Sequence, residues 1–325
     1  DWLSAALTRT LAARSGLETF WREQLLLYRA PIDKGIAHFP FEGAHKLTIP
    51  VAAMNVDPIL ARWMQNIHAA ENLWTLKPLN ERWIDGAKPL QDYLTWLDKM
   101  ILKMWNVNYR IFLETLKLGT GIYKAGWKFE KRRMWGYDAQ KQRTKLTKTI
   151  NQPFVDHVAL PDFLLPPAAR DIAPDMHGGA SWVGERHRLR PHQLQAMAEG
   201  QEPFLPNFDG EAVKKVLQYT ELGTTEHQQA VASLDKQTQT PTTERSREIE
   251  IWELHCRFDA GGEGEDDLVL FLHLPTLELL RATYEPLPYR PYSAIRYLRS
   301  DGFYGIGICE QAQVFQDTIS RVTNF

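Results

Sequence analysis

Apolar residues recur at every third or fourth position along several stretches of the chain, and this spacing predicts helices. The stretches run over residues 1–28, with Gly16 as a break, 51–74, 89–118 and 308 to the end. The stretch from Pro89 has the most regular spacing and is expected to stop at Gly119, because glycine is favoured just after a helix. A further short helix is expected to start at Pro191, since proline suits the first helical position.

Other stretches alternate between apolar and polar residues or are rich in β-branched and aromatic residues, and these predict strands. They lie at residues 46–49, 121–130, 154–158, 181–188, 249–258, 268–273, 278–284 and 292–298. The basic, hydrophilic residues 131–148 predict a long hairpin or an exposed loop that returns to the sheet. The chain is therefore expected to contain both helices and sheet, as an α+β fold does.

Residues 223–247 are rich in Thr, Gln, Glu and Ser and poor in apolar residues, which is typical of a mobile linker. This linker separates residues 1–222 from residues 248–300, which are mostly strands, and from residues 301–325, where a helix begins. The last helix shows no Gly or Pro stop signal, and the first residue is Asp1. We therefore expect the sequence to be a fragment of a longer chain.

Composition limits the function. The 325 residues carry a net charge of −2, with 44% hydrophobic and 24% charged residues, which is ordinary for a soluble globular protein. This near-zero charge argues against a protein that holds nucleic acid by its overall charge, so any DNA contact should be weak or local. Cys256 and Cys309 cannot form a disulfide framework and are expected to be buried. No apolar run is long enough to span a membrane, so no membrane association is expected.

Enzymatic motifs are incomplete in this sequence. Gly121 and Gly126 have the spacing that starts a phosphate-binding loop, but Trp127 stands where its lysine belongs. The acidic turn 259–267 lacks the ligand order of a calcium loop, which favours a solvated hairpin turn. Helical zinc spacing is missing among the histidines considered, which are His177, His187 and His192. We therefore predict no catalytic residue, no cofactor and no metal site, and we expect a protein that is not an enzyme.

One local segment could contact phosphate groups. Basic residues cluster in and beside the expected hairpin, with Trp135 and Tyr137 nearby: Lys128, Lys131, Arg132, Arg133, Lys141, Arg143, Lys145 and Lys148. Basic and aromatic side chains together suit nucleic acid, because they contact phosphates and stack on bases. The alternative is a solvated hairpin that meets an acidic patch on a neighbouring subunit.

Three passages follow one another along most of the chain. In Phe112–Trp127 a long helix closes on Gly-Thr-Gly and opens a strand. Val155–Pro167, with the later Trp182–Arg186, passes from a sheet through a proline-rich stretch to a strand and a short helix. Pro291–Asn324 contains Gly-x-Gly-x-x-Glu-Gln and continues into a helix with Gln-Asp and Asn. In this order the chain resembles the portal proteins of tailed bacteriophages, the head-to-tail connectors.

The resemblance implies a structural role. It implies an α+β, portal-type fold in which residues 1–222 form a wing of helices, a β hairpin and short strands, with the entry to the stem near its end. Residues 248–300 would then form a small β-rich clip and residues 301–325 the start of a long stem helix. It also implies a homo-oligomeric ring of about twelve subunits at one capsid vertex, through which viral double-stranded DNA is packaged and ejected. The implied partners are the terminase and capsid, head-completion or tail proteins. The implied location is the virion, with the host cytoplasm during assembly.

The terminal helix supplies a candidate packing surface. Its apolar residues follow spacings of four and three, which places them on one stripe: Ile308, Ala312, Phe315, Ile319 and Val322. Such a stripe has to be covered by another surface. We expect it to hold a stem against its neighbours in a ring, and the alternative is that it packs inside its own subunit.

Two other functions are open at this point. A phage nucleic-acid-processing enzyme would be detected by hydrolysis of ATP or DNA with magnesium, and the missing Walker and nuclease motifs count against it. Another virion adaptor, without a channel, would give no ring with a central hole in negative-stain images.

Overall fold

The structure is a computed structural model that describes residues 2–30, 48–70, 73–137, 143–199, 208–219, 248–259, 264–285 and 289–323. Side chains at residues 130–134 and 143–147 are not described. The predicted linker 223–247 and Lys141 lie outside the described residues, as does half of the strand predicted at 46–49. The other half of that prediction is wrong, because residues 48 and 49 belong to no strand.

The helices lie mainly in the first third of the chain. They are α1 (Trp2–Arg29), α2 (Val51–His68), α3 (Ile84–Trp96), α4 (Met104–Leu118), α5 (Pro191–Ala198), α6 (Gly210–Gln218) and α7 (Ile308–Thr323). The helices predicted from residue 51, from Pro191 and from Ile308 are confirmed, although α2 ends at His68 instead of continuing to residue 74.

The predicted break at Gly16 is wrong, because α1 continues through it. Gly16 lies on an exposed side of the helix with open space around it, whereas Leu7 and Trp21 on either side are fully buried. Burial of each of these side chains contributes roughly 1.5–3 kcal/mol, which exceeds the cost of about 1 kcal/mol for a glycine inside a helix.

The single helix predicted over residues 89–118 is also wrong. A π-helical turn, Leu97–Leu102, follows α3, and Lys103 then takes a left-handed backbone conformation with φ 52° before α4 begins. The wider turn buries Asp98, and apolar spacing alone does not reveal one extra residue in a turn. The predicted end at Gly119 is confirmed: its φ is 88°, and its N–H donates to the Thr115 carbonyl.

The strands form two antiparallel sheets. They are β1 (Thr120–Tyr137), β2 (Arg143–Val158), β3 (Phe163–Leu164), β4 (Trp182–Leu189), β5 (Ile249–Phe258), β6 (Asp266–His273), β7 (Glu278–Tyr284) and β8 (Tyr292–Arg296). A three-stranded sheet has the order β2-β1-β8, and a five-stranded sheet has the order β3-β4-β5-β6-β7. The predicted long hairpin is confirmed as β1 and β2, and the mixture of helices and sheets agrees with the predicted α+β class.

Residues 248–300 share both sheets with residues 1–222. β5 pairs with β4 and extends the five-stranded sheet, and β8 pairs with β1 in the three-stranded sheet. The division into wing and clip stays a prediction, and any clip in this chain would be joined to the wing through these shared strands.

Helices cover both sheets. The first half of α1 packs Leu7 on one face of the five-stranded sheet, beside Trp182 and Trp252, while α5 and α6 cover part of the other face. A layer of α2, α4 and α7 packs against the three-stranded sheet. Cys256 and Cys309 are both buried, as predicted. In the described ranges, no helix has both the length and the apolar character needed to cross a membrane.

Candidate assembly surfaces and a buried charge cluster

The β1–β2 hairpin extends well past the rest of its sheet. β8 pairs with β1 only from Thr120 to Lys124, and beyond Ala125 the described ladder joins β1 to β2 alone. At about 3.3 Å per residue, the two-stranded part reaches roughly 40 Å. The hairpin therefore has the form of an arm with two faces.

The two faces of this hairpin differ in composition. Directly opposed residues share a face, so the register places Trp127, Trp135 and Tyr137 together with the positions of four basic residues: Lys131, Arg133, Arg143 and Lys145. No acidic residue falls on this face anywhere in the described ladder. The three aromatic side chains are 58–74% exposed. A face that combines cations with exposed aromatic rings suits a polyanion with stacked bases, or an acidic protein surface.

The remaining predicted basic residues are distributed as follows. Lys128, Arg132 and Lys148 fall on the opposite face of the hairpin, which also carries Glu130. Lys128 and Lys148 are exposed. Of the eight basic residues predicted as contacts, the structure thus brings seven together on one hairpin.

The predicted stripe on α7 divides into two parts. Ile308 and Ala312 are buried in the helical layer, whereas Phe315, Ile319 and Val322 are exposed, Phe315 by 66%. The buried face continues instead through residue 316 and Ser320. Ile308 and Ala312 pack inside their own subunit, which was the alternative expected for the stripe. A role in assembly stays a prediction for Phe315, Ile319 and Val322.

A buried glutamine explains this division. The Gln316 side chain accepts a hydrogen bond from the Ala52 N–H at 2.9 Å and donates one to the Leu27 carbonyl at 2.9 Å. Both backbone groups lie at a helix end, where they have no partner within the helix. The amide is thus satisfied inside the core, and apolar spacing cannot detect a buried residue of this kind.

A second exposed apolar surface lies on the segment 73–109, called here the α3 arm. α3 is described in full and none of its residues is buried; it packs mainly against the short helical turns on either side. Large apolar side chains of the α3 arm are 40–99% exposed: Trp74, Leu79, Trp83, Ile84, Leu90, Tyr93, Trp96, Met100, Trp105 and Tyr109. Six of the ten are Trp or Tyr, the side chains that are enriched at protein–protein interfaces.

A cluster of charged side chains lies between the two sheets. Glu185 of β4 and Glu253 of β5 stand directly opposite each other in the five-stranded sheet, where like charges repel. Lys124 of β1, from the other sheet, places its ammonium 2.6 Å from Glu185 Oε2 and 2.7 Å from Glu253 Oε2. The Tyr292 hydroxyl donates to Glu185 at 2.9 Å. The lysine therefore compensates the two carboxylates and links the sheets.

Two histidines extend this cluster. His187 Nε2 lies 2.6 Å from Glu253 Oε2, while His255 contacts a carboxylate with each ring nitrogen, Glu253 at 3.0 Å and Glu285 at 2.5 Å. Carboxylates only accept hydrogen bonds, so both nitrogens of His255 have to donate, which requires the imidazolium form. Burial opposes this charge, but the hydrogen bonds to Glu253 and Glu285 outweigh it and raise the pKa of His255.

The pKa of Glu253 shifts in the opposite direction. Burial alone would raise it, but Lys124 and the hydrogen bonds from both histidines hold the pKa of Glu253 well below its usual range. The contact with Glu253 and Glu185 in turn raises the pKa of Lys124 against the effect of burial, so Lys124 and Glu253 form a charged pair. These charged groups connect the two sheets, so a change in one of them affects the packing of one sheet on the other.

A metal ion does not fit this cluster well. Glu185, His187 and Glu253 each offer a ligand atom, and these atoms lie within 4.8 Å of one another. The ammonium of Lys124, however, already contacts both carboxylates and is the cation that this pair of acids holds. The arrangement is that of a buried ion network that fixes one sheet on the other.

This cluster was not predicted from the sequence, although the chain contains a signal for it. The pattern Glu-x-His occurs in β4, as Glu185 and His187, and again in β5, as Glu253 and His255. Residues two apart share one face of a strand, so each pair points to the same side. Acidic residues and histidines on strands that are otherwise buried indicate an internal partner, which is Lys124 here.

A cleft of about 550 Å³ lies between the loop at residues 171–175 and β8. Arg290 donates to the Ile172 carbonyl at 2.7 Å, and Arg296 donates to the Arg170 carbonyl at 2.8 Å. These two arginines hold the loop that contains residues 170–172 against the three-stranded sheet.

Similarity to known proteins assigns no family to this chain. No protein-family model matches the sequence, and no curated protein matches it significantly.

Proposed function

We propose that the chain is a portal-type structural subunit that forms a ring at a phage capsid vertex, with viral DNA passing through the ring. The observation that carries the proposal is the pair of apolar helix surfaces, on the α3 arm and on α7, that the described residues leave exposed. Exposed aromatic and aliphatic side chains in this number favour a subunit that contacts other molecules. The order of the segments, which resembles that of portal proteins, supplies the identity of the assembly.

In this proposal residues 1–222 are the wing, residues 248–300 the clip, and α7 the start of a stem helix. The ring holds about twelve subunits through head-to-tail contacts. Terminase and capsid, head-completion or tail proteins dock on it in the virion.

The hairpin is the proposed local contact for DNA or for a neighbouring subunit. Its seven basic positions contrast with a whole-chain charge of −2. Contacts of this kind involve phosphates and not base edges, so binding should be independent of sequence and should weaken as salt rises. A tight complex that selects a sequence and resists salt would contradict this part of the proposal.

Native mass spectrometry with negative-stain imaging tests the assembly. At micromolar concentration and moderate salt we expect closed rings of about a dozen subunits with a central hole. Monomers and dimers alone would refute the proposal, while an assembly without a hole would favour a different virion adaptor. Hydrolysis of ATP or DNA with magnesium by the purified chain would favour the enzyme alternative.

A further inference from the structure

The outer edge of β8 has no strand beside it, because β8 is the last strand of the three-stranded sheet. On its inner edge, the Ala125 N–H of β1 donates to the Pro291 carbonyl at 2.8 Å, so position 291 and every second residue after it point toward β1. Tyr292, Ala294 and Arg296 therefore direct their backbone N–H and C=O groups outward. Within the described ranges, no backbone group or side chain pairs with these outward groups.

The cleft of about 550 Å³ runs along this edge. Every residue of β8 lines one side of it, and residues 171–175 line the other. Arg290 and Arg296, at the two ends of β8, hold the loop in place by donating to carbonyls between residues 170 and 181 at 2.7–3.0 Å. The volume is within the ~300–1,000 Å³ of ligand clefts, and the five residues of β8 give a length of roughly 17 Å. This long and narrow shape suits an extended chain.

Three arginines line the cleft without a counter-ion. They are Arg290, Arg296 and Arg299, and none of them forms an ion pair with a carboxylate of the described residues. Burial lowers the pKa of Arg290 and of Arg296, as expected for cations that are partly removed from water. The Nε of Arg296 is also buried without a hydrogen-bond partner. A ligand with carboxylates would supply the missing negative charge.

The acidic residues of the cleft do not cancel this positive charge. Asp171 and Asp175 are both in the lining, but Asp175 is already paired with Arg257 at 2.6 Å. Asp171 is thus a single unpaired carboxylate beside three guanidinium groups. The cleft therefore favours an anionic ligand.

The backbone of β8 decides which kind of anion fits. Its outer edge offers carbonyl acceptors beside N–H donors, and the phosphates of a nucleic acid have no donor for such carbonyls. A peptide backbone supplies both donors and acceptors, and addition of a strand to an open sheet edge is a recurring mode of peptide recognition. Alternate side chains of an added strand share one face, so acidic residues at every second position would lie together beside the arginines.

We propose that this cleft binds an extended, acidic segment of a partner protein, which pairs with the outer edge of β8 as a fourth strand of the three-stranded sheet. Its carboxylates lie against Arg290, Arg296 and Arg299. Main-chain hydrogen bonds provide affinity, and the arginines select acidic sequences. All parts of this site belong to one chain, so the site does not depend on the proposed ring.

Fluorescence anisotropy with labelled peptides tests the site in the full chain. The probe is a peptide of about eight residues in which glutamate alternates with threonine, a residue that favours strands. One control peptide has lysine in place of glutamate, and another keeps the glutamates but has every backbone amide N-methylated, which removes the donors that pair strands. We expect saturable binding of the glutamate peptide that weakens as salt rises, and binding at least about tenfold weaker for both controls.

Two variants locate the bound peptide. Arg299→Glu reverses a charge at an exposed position of the cleft, and it should weaken binding of the glutamate peptide roughly three- to tenfold. Arg9→Glu makes the same change at an exposed position of α1 that does not line the cleft, and it should leave binding unchanged. Ala294→Pro removes one outward N–H but no hydrogen bond to β1, and proline is tolerated on edge strands, so the variant should fold and lose binding. Thermal unfolding followed by circular dichroism checks the fold of all three.

Several outcomes would overturn the inference. Absence of saturable binding would refute it directly, and equal binding of the N-methylated peptide would show that charge alone accounts for the contact. Parent-like binding by both Arg299→Glu and Ala294→Pro would place the peptide elsewhere on the chain. Single-stranded DNA that binds more tightly than the glutamate peptide, and is lost in the same variants, would assign the cleft to nucleic acid. Release of subunits from an assembly by the glutamate peptide would assign it to a neighbouring copy instead of a partner protein.

Discussion

Replacement of Glu253 by glutamine tests whether the charge cluster holds the two sheets together. Glu253 and Lys124 have side chains that are only 12% and 13% exposed, and their charged atoms are 2.7 Å apart. Glu253→Gln keeps the shape of the side chain but removes its charge. The ammonium of Lys124 and the imidazolium of His255 then lose the carboxylate that they share. The amide NH₂ of the new glutamine is a hydrogen-bond donor, and it points toward Lys124 or His255, which are donors themselves.

The expected loss of stability is moderate. Lys124 keeps its contact with Glu185 and His255 keeps its contact with Glu285, so the loss is that of buried hydrogen bonds to a charged group, about 1–3 kcal/mol. For a chain of 325 residues that unfolds cooperatively, this corresponds to a fall in Tm of roughly 1.5–4.5 °C. Thermal unfolding followed by circular dichroism, with urea unfolding for the free energy, measures both quantities.

Two controls make this result specific. Glu23→Gln removes a charge from an exposed position of α1 and should change the free energy of unfolding by less than about 0.5 kcal/mol. In a double-mutant cycle, Lys124→Met combined with Glu253→Gln should cost less than the sum of the single changes, since each removes what the other leaves uncompensated. A loss below about 1 kcal/mol for Glu253→Gln, or strict additivity in the cycle, would refute the role assigned to the cluster.

Three further outcomes are expected. Because the fold raises the pKa of His255, protonated His255 stabilises the fold fully below pH 6.5, the ordinary pKa of histidine, and this stabilisation is lost as pH rises through the raised pKa. In urea unfolding measured across pH, His255→Gln should abolish this fall in the free energy of unfolding. Gly119→Ala should lower the free energy of unfolding by more than about 2 kcal/mol, because φ of Gly119 is 88° and the added Cβ would collide with the Gly305 carbonyl oxygen. Gly16→Ala adds a Cβ in open space and should raise the free energy of unfolding by up to about 1 kcal/mol. The double variant Lys128→Glu and Lys148→Glu should weaken DNA binding in fluorescence anisotropy. The slope of the logarithm of the binding constant against the logarithm of the salt concentration should become shallower by about 0.9 for each phosphate that is no longer neutralised. An unchanged slope would exclude these lysines from the DNA interface.

The sequence by itself determined most of the local structure. Alternation along β1 and β5 and helical spacing in α7 each depend on residues close in the chain, so these elements could be predicted without knowledge of the fold. The hairpin and its basic residues followed from the same patterns. The prediction over residues 89–118 went wrong where the backbone departs from regular geometry, at the π turn and Lys103, because the period of apolar residues does not register such a change.

Only the tertiary structure decided which elements meet. Pairing of β4 with β5 and of β1 with β8 joins residues that are distant in sequence, and local patterns contain no information about such partners. The charge cluster depends on these pairings, since Lys124 is compensated only when both sheets are in place. The same holds for α7, where Gln316 is buried because two backbone groups of other helices meet it, and Phe315 is left on the surface as a result. Burial of a polar side chain is decided by the partners that the fold supplies, and those partners are fixed only when distant segments come together.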